Sequence, residues 1–159
     1  MNRKSFFRKL GKLLDTKVGF IDDVEEGFSL NVAFKVSLTT DEIVSLKSRK
    51  VLVPITSVKE EAEEFFIDCL CDDFRKIAKK YHPELVSFLH EVGHIHTMKG
   101  IKYRWHQLKI AEIEQSNLCS LLYRELPREK LADEWAINWL INNKCLAKRL
   151  SDKMYKFNI

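Results

Sequence analysis

Residues 82 to 100 restrict this chain more than any other stretch. Leu85, Phe88, Leu89, Val92, Ile95 and Met98 recur at three- and four-residue steps, which is one face of a helix. His82-Pro83 breaks whatever precedes it, and Pro83 can open the new helix because its missing N–H has no partner there anyway. Gly100 is a natural stop. Within that span His90 and His94 stand four positions apart, on a shared face and one turn from each other, with Glu91 projecting beside them.

The rest of the chain reads around this helix. A length of 159 residues suits one domain, taken here as 1–159, and is enough to bury a core. Residues 3 to 15 read as a short basic helix ending near Gly19. Residues 1–20 thus form a basic N-terminal helix or arm, expected to pack on its own domain. Phe28 to Leu38 alternates apolar and polar residues, the period of a half-buried strand. Thr39, Thr40 and Asp41 supply turn chemistry. Val51-Leu52-Val53-Pro54-Ile55 is a second strand, with Pro54 at an edge or a strand end because it cannot donate to a ladder.

From Ser57 to Tyr81 the spacing of Ala62, Phe65, Phe66, Cys69, Leu70, Phe74, Ile77 and Ala78 predicts one long amphipathic helix. Its glutamates come first and its lysines last, in the sense of the helix dipole. A further helix is expected over about 107 to 125, burying Leu108, Ala111, Leu118, Leu121 and Leu122. Pro127 starts the last major helix, with Leu131, Trp135, Trp139, Leu140 and Leu146 turned inward. Strands come early and helices later, so the class is α+β.

Charge and cysteine usage narrow the function classes. The net charge of +4 resides at the two ends, from Arg3 to Lys17 and from Lys144 to Lys156. Without an aromatic-basic recognition motif it reads as solvated termini and gives no strong nucleic-acid signal. No apolar run approaches the ~18 residues of a membrane span, and the N-terminus lacks the apolar segment of a signal peptide. Cys69, Cys71, Cys119 and Cys145 match neither a CxxC pair nor a disulfide framework. Cys69, on the apolar stripe, reads as a reduced core thiol, which favours a reducing compartment.

The chemistry is concentrated in two helices. His90 and His94 can hold one tetrahedral Zn2+, and Glu91 can take a proton from water at that ion without ligating it. A catalytic zinc site needs a third protein ligand. No H-x-x-G-x-x-H run follows His94 to supply it. Glu129 and Asp133, four apart on the last major helix, fit as third ligand and as hydrogen-bond partner of a ligating imidazole. Glu134 is the alternative ligand, about 100° further round that helix. Tyr103 and His106 are candidate donors to a developing oxyanion, with loop packing as the other reading. His96 points to a different face from His94 and is read as surface.

His90-Glu91-Val92-Gly93-His94 followed by Glu129-x-x-Ala132-Asp133-x-Trp135-Ala136 resembles the gluzincin arrangement. It is most similar to the small ImmA/IrrE-type metallopeptidases of bacteria, phages and mobile elements. The resemblance implies a small antiparallel sheet packed on a mainly helical, zincin-like core. It implies His90, His94 and Glu129 as zinc ligands and Glu91 as catalytic base. Its expected substrate is a protein or peptide, such as a repressor or regulator of a phage or mobile element, with an inhibitory partner to restrain it. The peptide is expected to add to an exposed edge strand within 50–56 or 28–38. The competing expectation is a non-enzymatic interaction module that keeps its zinc.

Overall fold

The structure, a computed structural model, describes residues 1–22, 27–115 and 119–159. Asn2 caps α1 (Arg3–Leu13) by accepting the Ser5 N–H, and the helix buries Phe6, Phe7 and Leu10. It stops at Leu13, well before Gly19, and the chain turns through Asp15 in the left-handed region. Three strands follow: β1 (Lys17–Ile21), β2 (Ser29–Val36) and β3 (Ile43–Pro54).

Their order is β1-β3-β2. The short turn after β2 makes β2 and β3 an antiparallel hairpin. β1 reaches β2 only by passing to the far side of β3, and it pairs with β3 in parallel. The sheet is therefore mixed, not antiparallel as expected. β3 is its central strand and begins at Ile43, eight positions before the expected start. Pro54 sits at its end, as its missing N–H requires.

Over 57–81 the expected single helix is replaced by α2 (Lys59–Phe65), a 3-10 turn (Ile67–Cys69) and α3 (Asp72–Ala78). Leu70 and Cys71 are extended and interrupt the helical path, and Asp72-Asp73 open a new N-terminus. The break turns Phe65 outward, 70% exposed, and buries Ile67. α4 (Pro83–Thr97) follows expectation, and all six of its stripe residues are buried.

In place of one helix over 107–125 there are α5 (Tyr103–Glu114) and α6 (Cys119–Arg124). Leu108, Ala111 and Leu122 are exposed, whereas His106 and Ile113 face inward. Leu118 lies outside the described residues, and the side chain of Leu121 is likewise not described. α7 (Pro127–Asn142) starts at its proline, and α8 (Lys144–Lys156) is a separate helix. On α7, Leu140 is buried and Trp135 and Trp139 pack half-buried on the core. Leu131 instead faces out, and Ala132, Ala136 and Ile137 take the inner face. Leu146 is half-buried on α8. The fold is mixed α+β, with eight α-helices and one three-stranded sheet among the described residues. No described helix is long and apolar enough to cross a membrane. Cys69 is half-buried rather than in the core, and Cys71 and Cys145 are exposed free thiols.

α4 is held at its N-terminal end by polar contacts that reach distant segments. The Glu84 carboxylate is fully buried. It accepts two hydrogen bonds from Arg3, at 3.0 and 2.7 Å, one from Ser57 Oγ at 3.1 Å and one from the Val58 N–H at 2.9 Å. Arg3 Nε also donates to the Pro54 carbonyl at 2.8 Å. A buried ion pair is tolerable when its remaining donors and acceptors are satisfied in this way. The basic N-terminus is therefore a docked helix, not a free arm.

His82 sits just before Pro83. Its N–H donates to Ser151 Oγ on α8 at 2.6 Å, and its ring Nδ1 accepts the Glu84 N–H at 3.3 Å. Burial, only partly offset by nearby Glu84, lowers its pKa to about 4. Below its ordinary value of 6.5 the unfolded chain therefore binds a proton that the folded chain refuses. Stability is fully present above that value and should fall as pH drops toward 4. The buried His94 contributes in the same sense. Replacing His82 by Gln should remove one proton's share of the slope, so denaturant midpoints of variant and wild type should converge on acidification. Parallel pH profiles would show that His82 does not titrate this way.

Candidate metal centre

The site is set by how closely α4 and α7 approach. A Cβ built on Gly93 would lie 2.6 Å from the Ala132 carbonyl oxygen and 3.1 Å from its Cα. Only glycine fits there without displacing backbone. The close crossing brings the His90/His94 face of α4 against the Glu129/Asp133 face of α7.

Glu129 Oε2 lies 3.1 Å from His90 Nε2, and Glu129 Oε1 lies 3.3 Å from His94 Nε2. Two ligands of a tetrahedral ion, each bonded at ~2.0–2.1 Å, stand roughly 3.3 Å apart. Glu129 Oε1 has no hydrogen bond among the described residues despite its short distance to His94. That is the disposition of two donors facing a common point. On the other side of its ring, His90 Nδ1 lies 2.8 Å from Asp133 Oδ1. Two imidazoles and one carboxylate form a donor set that suits zinc, so the residues present fit the ion. Glu91, with His90 and His94, offers a ligand-type atom within 4.8 Å of the others.

The electrostatics follow from burial and pairing. Burial pulls the His90 imidazole down, but Asp133 and Glu129 outweigh it and raise the group to about 9. At His94 burial wins over Glu129, and the pKa falls to about 4. Burial pushes Glu129 up, yet the two imidazoles hold it well below the usual carboxylate range. Glu91 is raised to about 7, chiefly by burial.

The four groups open onto a cleft of about 910 Å³. Its walls come from Gly27 to Leu30 at the start of β2, Phe65 and Phe66, and Tyr123, Arg124 and Arg128. Arg124 pairs with Asp133 and lies 3.5 Å from Glu129 Oε2, with its guanidinium 4.8 Å above the Phe66 ring. Phe66 in turn packs 4.9 Å from His90. Tyr123 is raised to about 12 by burial and by Glu129. Sequence reasoning missed Tyr123, Arg124 and Arg128 as site residues. Their only signal was position, in the segment leading into Pro127 and Glu129, and no periodicity marks them.

Other expected residues are placed elsewhere. Glu134 is exposed, one position beyond the inward face of α7. Tyr103 does not line the cleft and packs edge-on against Phe34, 5.3 Å away. His106 is buried beside a second, smaller cavity. His96 stacks on Trp135 at 4.7 Å.

The Gly93 contact is testable by itself. Alanine is the better helix former by ~1 kcal/mol in an open helix. Gly93→Ala should nevertheless destabilise the protein by about 1–3 kcal/mol, because the overlap is with backbone and one helix must move. Urea denaturation checks this, and an unchanged or higher midpoint would show that α4 and α7 can part without penalty.

No family model, curated protein or solved structure matches this chain.

Proposed function

We propose that the chain is a zinc-dependent metallopeptidase of the gluzincin kind, hydrolysing peptide bonds of a protein partner. One observation carries this reading: the Glu129 carboxylate spans His90 and His94 at the separations of ligands on one ion. His90, His94 and Glu129 would hold zinc, whose chemistry is to acidify water and polarise a carbonyl.

The remaining roles belong to the chain's own side chains. Asp133 Oδ1, 2.8 Å from His90 Nδ1, is placed to orient that ring so that Nε2 is the nitrogen left to ligate. Arg124 holds the Asp133 carboxylate in place through its own pairing. Glu91, in the cleft and not pairing with Glu129, is positioned to take a proton from water and return it to the leaving amine. An extended peptide would add to β2. Among the described residues that strand pairs with β3 alone, and residues Gly27 to Leu30 line the cleft. The other expected edge, 50–56, is ruled out for that role because β3 is flanked on both sides. Similarity to the ImmA/IrrE-type enzymes makes a repressor or regulator of a phage or mobile element the partner to seek, in a cytoplasmic setting.

Metal analysis of the purified protein should give about one zinc per chain. Glu91→Gln should keep that zinc and lower cleavage by roughly 10²–10⁴-fold. Glu129→Ala should lose it, whereas Glu134→Ala should not. Proteomes from cells expressing wild type or Glu91→Gln would expose the cleaved partner. Identical fragment patterns would remove the hydrolase and leave a zinc-stabilised interaction module.

A further inference from the structure

A second cavity of about 420 Å³ adjoins the cleft, and Arg128 lines both. Lys102, Trp105, His106 and Pro127 contribute to its other walls, and among the described residues no acidic one does. The two arginines next to the metal-ligand candidates both have a buried Nε without a hydrogen-bond partner among the described residues, and they differ in ion pairing. Arg124 is engaged with Asp133 and Glu129. Arg128 makes no ion pair among the described residues, and its buried Nε has no hydrogen-bond partner among them. His106 is only 3% exposed, and neither ring nitrogen has a partner among the described residues. Burial first, and then Arg128, lower its pKa, so it is a neutral ring with one N–H to give.

Buried donors without acceptors are destabilising, and such groups are retained where something else completes them. Here the missing partner is an acceptor with negative charge. A guanidinium fork matches a planar carboxylate, and Trp105 and Pro127 offer apolar surface to the methylenes that carry one. Arg128 is the wall residue common to this cavity and the cleft, so a ligand lying in the cleft can reach it with a carboxylate.

We propose that this pocket receives a carboxylate of the peptide bound in the neighbouring cleft, held by Arg128 with Lys102 and the His106 N–H as further donors, so that acidic peptides are the preferred substrate class. The identity of the ligand as a peptide rests on the metallopeptidase reading, whereas carboxylate capture can be measured without cleavage. The carboxylate can be an Asp or Glu side chain or a free C-terminus.

The test uses fluorescence anisotropy on the full-length Glu91→Gln protein. The probes are labelled alanine-based hexapeptides, blocked at both ends, with one Glu moved through each position. A matched set carries Gln, and a third set has no acid but a free C-terminus. At one position Glu should bind roughly 10–100-fold tighter than Gln, or the free C-terminus should give that gain and identify itself as the source. Adding Arg128→Ala should erase the difference, Lys102→Ala should shrink it, and Arg128→Lys should restore part of it. Nitrogen-15 spectra should show the Arg128 Nε and His106 ring signals moving with the acidic probe alone. Equal binding of Glu and Gln at every position, with no gain from a free C-terminus, overturns the proposal. So does a preference that survives Arg128→Ala. If Arg128→Ala does not fold, Lys102→Ala and the ring signals decide by the same criteria. Preference without any cleavage by wild type would sink only the hydrolase, and cleavage indifferent to acids would sink only the pocket.

Discussion

The near-contact of Gly93 with the Ala132 backbone is the constraint on which the site depends. Helices separated by ordinary side chains sit about 8–10 Å apart. At that distance an imidazole on one helix and a carboxylate on the next need not meet. Removing Cβ from one surface and leaving only a methyl on the other lets the axes close. Glu129 then reaches both imidazoles, and Asp133 reaches the far nitrogen of one. Ala136, one turn on, is also buried and keeps the same face of α7 small.

Closing the helices has an electrostatic consequence. Two imidazoles, two carboxylates and a guanidinium are withdrawn from water together. None would be tolerated singly, since an unpaired buried charge is strongly destabilising. They are tolerated as a set because each carboxylate faces a cation, Asp133 beside Arg124 and His90, and Glu129 beside His90, with the neutral His94 ring on the far side of Glu129. The pKa directions express this pairing, with His90 up and Glu129 down despite the burial that works against both. The same logic operates at the other end of α4, where Glu84 is buried against Arg3 and two further donors. Anchored at its start by α1 and α8, and along its length by α7, α4 is a rigid base for side chains that must hold position to fractions of an ångström.

How much could be read from the sequence depended on how each element is stabilised. α4 was legible because it is buried along nearly all of its length and is bounded by Pro83 and Gly100. α7 was legible at its start, and Glu129 and Asp133 stood out because their spacing repeats that of His90 and His94. β1 was not legible, since five residues with a central glycine carry no period and the strand exists through its pairing with β3. The first half of β3 escaped for a related reason, because Lys47 to Lys50 face solvent and only backbone pairing makes them strand. In the 57–81 segment the apolar spacing stayed helical through Leu70 and Cys71, but the tertiary structure extends the backbone there and overrides the pattern. Arg124 was invisible because its role is defined wholly by what it touches. Tyr103 and His106 were chosen for chemistry near the histidines in sequence, and the turn at Gly100 carries them away from the cleft.

Strand order ties the sheet to the chemistry in a way that strand count does not. Had β1 joined the outer side of β2, the sheet would still have three strands, but the edge beside His90 would be occupied. Because β1 pairs instead with the opposite side of β3, β2 keeps one unpaired ladder among the described residues, and the segment leading into it lines the cleft. An unpaired edge is a liability that proteins usually cover or blunt. β2 carries two irregularities in its register with β3, both in the half remote from the cleft, after Ala33. Its regular half, from Ser29 to Ala33, is the half whose first two residues line the cleft. In the metallopeptidase reading, an edge unpaired among the described residues and running into the wall of the cleft that holds His90, His94 and Glu129 would align a peptide backbone there, and the mixed topology serves that purpose.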